Sequence, residues 1–519
     1  MSAATAARDR RGPSKRSLEV IVIGAGFGGI ATAIELRRHG ITEVTILEKA
    51  PDLGGTWFYN SYPGAACDVP SHLYSFSFAQ RLDWSRLCSP QAEIHDYIRE
   101  VARRHHVDRL IRLNRTVTSC SWSEESCRWT VQTAELETYE ADAIVVATGQ
   151  LHQPALPQLQ GIETFAGHSF HSAEWDHDYP LLGKRVAVVG SGASAVQFVP
   201  EIAERVARLT VFQRTGNWFL PRKNHRYPPL FKAVIKRYPA LQALRRKFVF
   251  QYGESLTMMI RHPRTIGRLG RWRSAAFMRS QLKDPELRRK AWPDYTFGCK
   301  RVLFSSFFLP ALERDNVELV TEAVAGVTPE GVLAADGTLH EADCIIWATG
   351  FRTTEFMFPM RITGAAGAEL QERWADGAHA HLGMCVPDFP NMFITYGPNT
   401  NTSGGSIIFY LETQASYIRQ ALQALEDRDA AALEVRPEVE AASDRALQAR
   451  FAGTAWTECS SWYRDEHGRI VANWPGYMRE YLQQTERLDP SEYSFVALPD
   501  RAPLAGAGAG AEGAMTADA

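Results

Sequence analysis

Between Leu18 and Lys49 the chain passes through three apolar patterns in order. LEVIVI is a continuous β-branched run, IATAIEL spaces its apolar residues as a helix does, and EVTIL is again short and strand-like. The pattern predicts strand, turn, helix and strand. It returns in KRVAVVGSGASAVQFVPEIAERVARLTVF, and two more apolar runs, DAIVVATG and DCIIWATG, end in small-residue turns at Gly149 and Gly350. Strands alternating with helices predict an α/β fold built on parallel sheets. Residues 216–296 break the rhythm: FKAVIKRYPALQALRRKFVF sets apolar positions among arginines, as amphipathic helices do.

The turns inside the repeated pattern carry candidate chemistry. Gly24 permits a tight turn, Gly26 lets the backbone approach a pyrophosphate, and Gly29 lets the helix pack closely on the strand. Glu48, ending the second strand, is placed to accept from ribose hydroxyls. Gly190, Gly192 and Ala195 repeat the frame, with Ser191 and Ser194 between them and Gln213 next to the strand end. Gly190 to Arg214 is the same interval as Gly24 to Glu48, so an arginine stands where the first half has an acid. A guanidinium can grip a 2′-phosphate that a carboxylate would repel, so this half is read as preferring NADPH; an arginine merely exposed at a strand end is the plainer alternative.

Composition adds exclusions. At 519 residues there is room for about three domains. The formal net charge of −2 gives no reason to expect nucleic acid as a partner. No run of about eighteen apolar residues appears and the polar, basic start lacks the core of a secretory signal, so neither membrane spanning nor secretion is expected. Eight scattered cysteines show no CxxC and no metal-ligand spacing; they are read as reduced, buried thiols of a cytoplasmic protein with no metal site. The glycine- and alanine-rich end is read as a disordered tail.

The two ATG turns bracket the second glycine motif, which suggests an NADPH domain inserted into an FAD domain. Here the sequence resembles the flavoproteins with two dinucleotide-binding domains, from about residue 18 to 490. The expected organisation is α/β, with two Rossmann-like dinucleotide-binding domains and a helical insert. An FAD-binding domain takes 18–150 and 345–500, and an NADPH-binding domain takes 151–215 and 297–344. The helical insert is 216–296, with disordered ends at 1–17 and 501–519.

Within that group, FAGHSFHSAEWD places Phe165, Gly167, His171 and Trp175 on the FxGxxxHxxxW fingerprint of type I Baeyer–Villiger monooxygenases, in the class B flavoprotein monooxygenase family. Alone, His171 is equally a linker histidine and Trp175 a core aromatic; the resemblance implies a hinge that couples cofactor-domain motion to catalysis. LGGTWFYNSYPGAACDVPSHLYSFSF resembles the family's flavin-facing segment and implies roles for Thr56, Trp57, Asp68 and Tyr74. FGCKRVLFSSFF implies a catalytic Arg301 with Lys300 on the NADPH phosphate, and SSWY implies that Trp462 contacts the nicotinamide cofactor.

The family oxidises ketones or aldehydes to esters or lactones with O2 through a C4a-peroxyflavin. That chemistry calls for a permanent cation near the flavin, and Arg301 held by Asp68 fits it. A loop-capping carboxylate is the plain alternative for Asp68. The other readings are an N- or S-oxidising flavin monooxygenase and a non-catalytic NADPH-binding sensor. YGPNTNTSGGS is either a helix start facing the flavin or a surface loop. After SSWY the sequence departs from better-known members, which leaves the carbonyl substrate unspecified. The insert carries nineteen Lys and Arg against four Asp and Glu, a net +15. It is a basic-faced cap on the NADPH domain, an attractor of anionic substrate, or a membrane-docking surface.

Overall fold

β-branched runs buried on both faces form the centres of two five-stranded parallel sheets in the computed structural model, which describes residues 17–222, 224–402 and 404–498. The expected disordered ends, Ser17 apart, lie outside those residues. Across the first sheet the order is Met392–Ile394, Ala143–Val146, Val20–Ile23, Val44–Leu47 and Ile111–Arg112. Across the second it is Val317–Val320, Arg208–Phe212, Arg185–Val189, Cys344–Trp347 and His168–His171.

Both sheets follow one plan. A glycine-turn strand lies between its βαβ partner and an ATG strand, in register Ile23 to Val146 in one and Val189 to Trp347 in the other. A three-stranded antiparallel meander precedes each ATG strand, over 117–141 and 324–341. The pairing of Cys344–Trp347 with Arg185–Val189 and His168–His171 puts that strand wholly in the second sheet. The return crossing therefore falls after Trp347, later than residue 345; apolar character alone does not say which sheet a strand joins.

The helix Phe27–Arg38 packs against the long helix Ile407–Asp427. Gly28 makes this possible, since a side chain there would come within 2.7 Å of Thr395 Oγ1 and 3.3 Å of Leu411. The insert is helical over Pro229–Arg237, Pro239–Arg261, Ile266–Gln281 and Pro285–Ala291, three of these preceded or opened by a proline that suits the first turn. It is rooted in the second half, where Phe219–Leu220 pairs with Leu303–Phe304. It also docks on the first half: the Tyr227 amide donates to Ser85 O at 2.9 Å and the Leu87 amide to His225 O at 3.2 Å. The insert is thus no cap on the second half alone.

One expectation fails outright. Cys299 and Cys459 form a disulfide, with Cα atoms 6.1 Å apart across 160 residues of sequence, so two of the eight cysteines are not thiols. Spacing rules see local pairs only, and this one exists because folding brings two distant loops together. The other six are buried. Among the described residues no helix is long and apolar enough to cross a membrane.

Candidate active site

The two glycine turns are built alike. Gly24 and Gly190 have φ of 108° and 112°, which side chains rarely adopt. A first side-chain carbon would lie 2.6 Å from Ala147 O at one and 2.3 Å from Ala348 O at the other. At Gly29 it would meet Gly24 O at 1.9 Å, so helix and strand touch as close packing requires. Gly26 lies against Gly55, and the Gly54 amide donates to Ala25 O at 3.0 Å, which brings the segment leading to Thr56 and Trp57 onto the first turn. In front of Gly192, Gly149 and Gly350 there is open space within 4 Å.

Glu48 is buried, and its carboxylate accepts from the Ala25 amide at 2.7 Å and the Ala50 amide at 2.9 Å. Burial raises its pKa, and those amides oppose the rise. Arg214, its counterpart, is exposed. Burial and then the charge of Arg214 lower the pKa of Lys300, whose Nζ lies 4.8 Å from the centre of the Tyr295 ring. Two cations close enough for one to act on the other's charge form a donor set suited to a phosphate. Asn217 donates to Ser191 O at 2.8 Å, Ser194 bonds to Tyr62, and buried Gln213 donates to Lys290 O at 3.2 Å. Ala195 is buried in the helix that follows.

Arg301 and Asp68, 233 residues apart, meet. Arg301 Nη2 donates to both carboxylate oxygens, at 2.9 and 2.7 Å. Burial pushes the Asp68 pKa up, but the charge and hydrogen bond of Arg301, with Arg222, outweigh it and hold the carboxyl below its ordinary value. Arg301 is raised in turn, chiefly by the Asp68 charge. Asp68 stays anionic and Arg301 cationic throughout the neutral range. Trp57 Nε1 donates to Tyr74 Oη at 3.0 Å next to this pair, while Thr56 opens the one-turn helix Thr56–Tyr59 and is exposed. Trp462 is partly exposed and leans on Tyr463, with ring centres 4.2 Å apart.

The fingerprint is an edge strand of the second sheet followed by a short turn. A side chain at Gly167 would fall 2.6 Å from both Asp343 O and the Phe165 ring, so only glycine fits beneath that phenylalanine. His171 pairs with Trp347, and its ring packs 5.8 Å from Phe351, just past the second ATG turn. Burial lowers its pKa, against Glu174 and the Gly350 backbone. Trp175 packs on Phe198, which also carries Tyr62 of the flavin-facing segment, at 5.1 and 5.9 Å. Gln197, next to Phe198, donates to Ala66 O at 2.8 Å and accepts from its amide at 3.1 Å. Fingerprint, second glycine-turn helix and the segment bearing Asp68 therefore form one chain of contacts.

Sequence reasoning missed several residues of this cluster. Arg222 donates to Cys67 O at 2.8 Å and acts on Asp68. Partly buried Tyr396 and buried Tyr463 both feel the Arg301 charge, yet burial raises their pKa values, that of Tyr463 to about 12. Tyr396 donates to Asn401 at 2.9 Å and Asn401 donates to Asn473 at 2.8 Å, with Tyr463 bonded to the same Asn473. The loop 396–406 is therefore interior up to Thr402, not a surface loop, and leads into the helix at Ile407. The Cys299–Cys459 bridge ties the strand end bearing Lys300 and Arg301 to the loop bearing Trp462.

Comparison with known proteins agrees with this layout. The family described as pyridine nucleotide-disulphide oxidoreductase matches residues 21–250, a span that does not include the disulfide. The chain is 41% identical over 483 residues to a Baeyer-Villiger monooxygenase of Streptomyces coelicolor, covering 92% of this chain and 93% of the relative. A closed crystal structure of cyclohexanone monooxygenase superposes with a TM-score of 0.85 at 28% identity, over 93% of this chain and all of that one. OTEMO in complex with FAD and NADP gives 0.83 at 27% identity, over 92% and 99%.

Proposed function

The chain belongs to the Baeyer–Villiger monooxygenases, and from that premise we propose that the Arg301–Asp68 pair stabilises the negative charge that arises during its oxidation. The enzyme uses FAD, NADPH and O2 to convert a ketone or aldehyde to an ester or lactone. FAD would be held by Gly24, Gly26, Gly29, Glu48, Thr56, Trp57, Asp68 and Tyr74. NADPH would be held by Gly190, Ser191, Gly192, Ser194, Ala195, Gln213, Arg214, Lys300 and Trp462. Held by these residues, the flavin would supply the redox chemistry, hydride acceptance and oxygen activation.

The protein's part is charge, orientation and exclusion of water. The observation that carries the reading is the two-oxygen grip of Asp68 on Arg301 Nη2. It occupies one nitrogen and leaves Nε and Nη1 as donors for developing anionic oxygen. Asp68 positions the cation and pairs it where it is only partly exposed. Lys300 and Arg214 relieve their mutual repulsion by binding a 2′-phosphate. Phe165, Gly167, His171 and Trp175 act as a hinge between the ATG turn and the second glycine-turn helix. We assign the reaction to the cytoplasm.

In Arg301→Ala, anaerobic bleaching of the flavin by NADPH should persist while ester formation falls on the order of a hundredfold. Undiminished ester formation by this variant would refute the assignment.

A further inference from the structure

Among the described residues, ten of the nineteen large exposed apolar or aromatic side chains fall between Leu230 and Trp272, in the helical insert. The long helix Pro239–Arg261 buries Val249 and Ile260 yet leaves a second set of large apolar side chains outside. The side toward the protein is pinned by polar contacts. Gln242 donates to Gln80 Oε1 at 3.1 Å, Arg246 Nη1 donates to the carbonyls of His72, Leu73 and Ser75 at 2.9 to 3.2 Å, and Glu254 accepts from the Met478 amide at 2.8 Å. Leu241, Leu244, Phe248 and Tyr252 recur at intervals of three and four, which aligns them on the opposite side. Leu244 is 65% and Phe248 73% exposed. The next helix, Ile266–Gln281, packs on this one and turns Leu269 and Trp272 outward while burying Gly270, Ser274 and Met278.

Charge accompanies the apolar stripes. Lys247, Arg268, Arg271 and Arg273 are exposed next to them, and within 229–281 twelve Lys and Arg face the single acid Glu254, which is buried. Two packed helices, each exposing large apolar side chains with arginines beside them, suit a surface that is apolar below and anionic above. We propose that this face docks on an anionic lipid bilayer, lying in the headgroup region without crossing it. A second copy of the chain fits poorly, since it would bring two strongly basic surfaces together.

The test is flotation of the FAD-loaded, full-length enzyme, followed by flavin absorbance, with vesicles of phosphatidylcholine alone or mixed equally with phosphatidylglycerol. The enzyme should float with the mixed vesicles only, and added salt should release part of it. Phe248→Glu with Trp272→Glu should weaken partitioning by about tenfold or more, with flavin content and NADPH oxidation unchanged. Arg268→Glu with Arg271→Glu and Arg273→Glu should weaken it on the order of tenfold or more. No flotation with anionic vesicles would overturn the proposal, as would flotation that the paired Glu variant leaves intact. Concentration-dependent self-association abolished by the same substitutions, without lipid binding, would overturn it in favour of a dimer face.

Discussion

In one half of the molecule Gly24 sits beneath the carbonyl of Ala147, and in the other Gly190 sits beneath that of Ala348; each ATG amide donates back to the glycine strand, at 2.8 and 2.9 Å. The backbones are near copies, yet the residue ending the second strand is a buried carboxylate in the first and an exposed guanidinium in the second. The shared part answers a requirement both dinucleotides impose, a chain that can approach a pyrophosphate at a helix start. Among the differences is the side chain ending the second strand, and in the proposed reading it selects the dinucleotide. The Arg301–Asp68 pair belongs to neither half alone, since Asp68 comes from the first and Arg301 from the second.

The glycines test the shared part with the largest effects. Gly24→Ala forces a side chain into a disfavoured backbone region against a carbonyl, so we expect a loss of a few kcal/mol in denaturant unfolding and purification largely without flavin. Gly190→Ala should keep flavin and lose reduction by NADPH. Gly192→Ala, facing open space, should unfold as the parent does; a loss as large as that at Gly24 would break the comparison.

The differing part is tested at Arg214. Arg214→Ala should lower kcat/KM for NADPH on the order of tenfold to a hundredfold and leave NADH almost unchanged. At saturating NADPH the same variant should divert oxygen consumption to hydrogen peroxide, because the nucleotide no longer shields the site. Equal losses with NADPH and NADH, or a parental peroxide yield, would count against the phosphate clamp.

The smallest expected effect is on acid stability. Arg301 holds the Asp68 carboxyl below its ordinary value in the folded chain, so its contribution is present above the unfolded pKa and lost as pH falls through the lower, folded pKa. Acid unfolding of Asp68→Asn should lack this component below about pH 4. An identical acid profile would mean that Arg301 does little to hold the carboxylate.

Much of this was legible in the sequence because glycine turns, strand ends and the fingerprint are local. Gly167 shows why, since its need is set by Phe165 two residues away and by a neighbouring strand. Arg222, Tyr396, Tyr463 and Asn473 were not legible: each is an ordinary loop or strand-end residue until the fold gathers them around Arg301. The Cys299–Cys459 bridge was hidden for the same reason. The insert shows a different limit. Periodicity revealed amphipathic helices, but it cannot say which side is buried, and here the buried side mixes Val249 and Ile260 with Gln242, Arg246 and Glu254 contacts while Leu244 and Phe248 stay outside.

The central claim is that the two halves bind and reduce while the pair between them oxidises. Rapid mixing of Asp68→Asn, first with NADPH without oxygen and then with oxygen and a ketone, separates these steps in one sample. The account predicts flavin reduction within about threefold of the parent, then little ester and mostly hydrogen peroxide. Reduction lost while the remaining turnover still gave ester in parental proportion would contradict it.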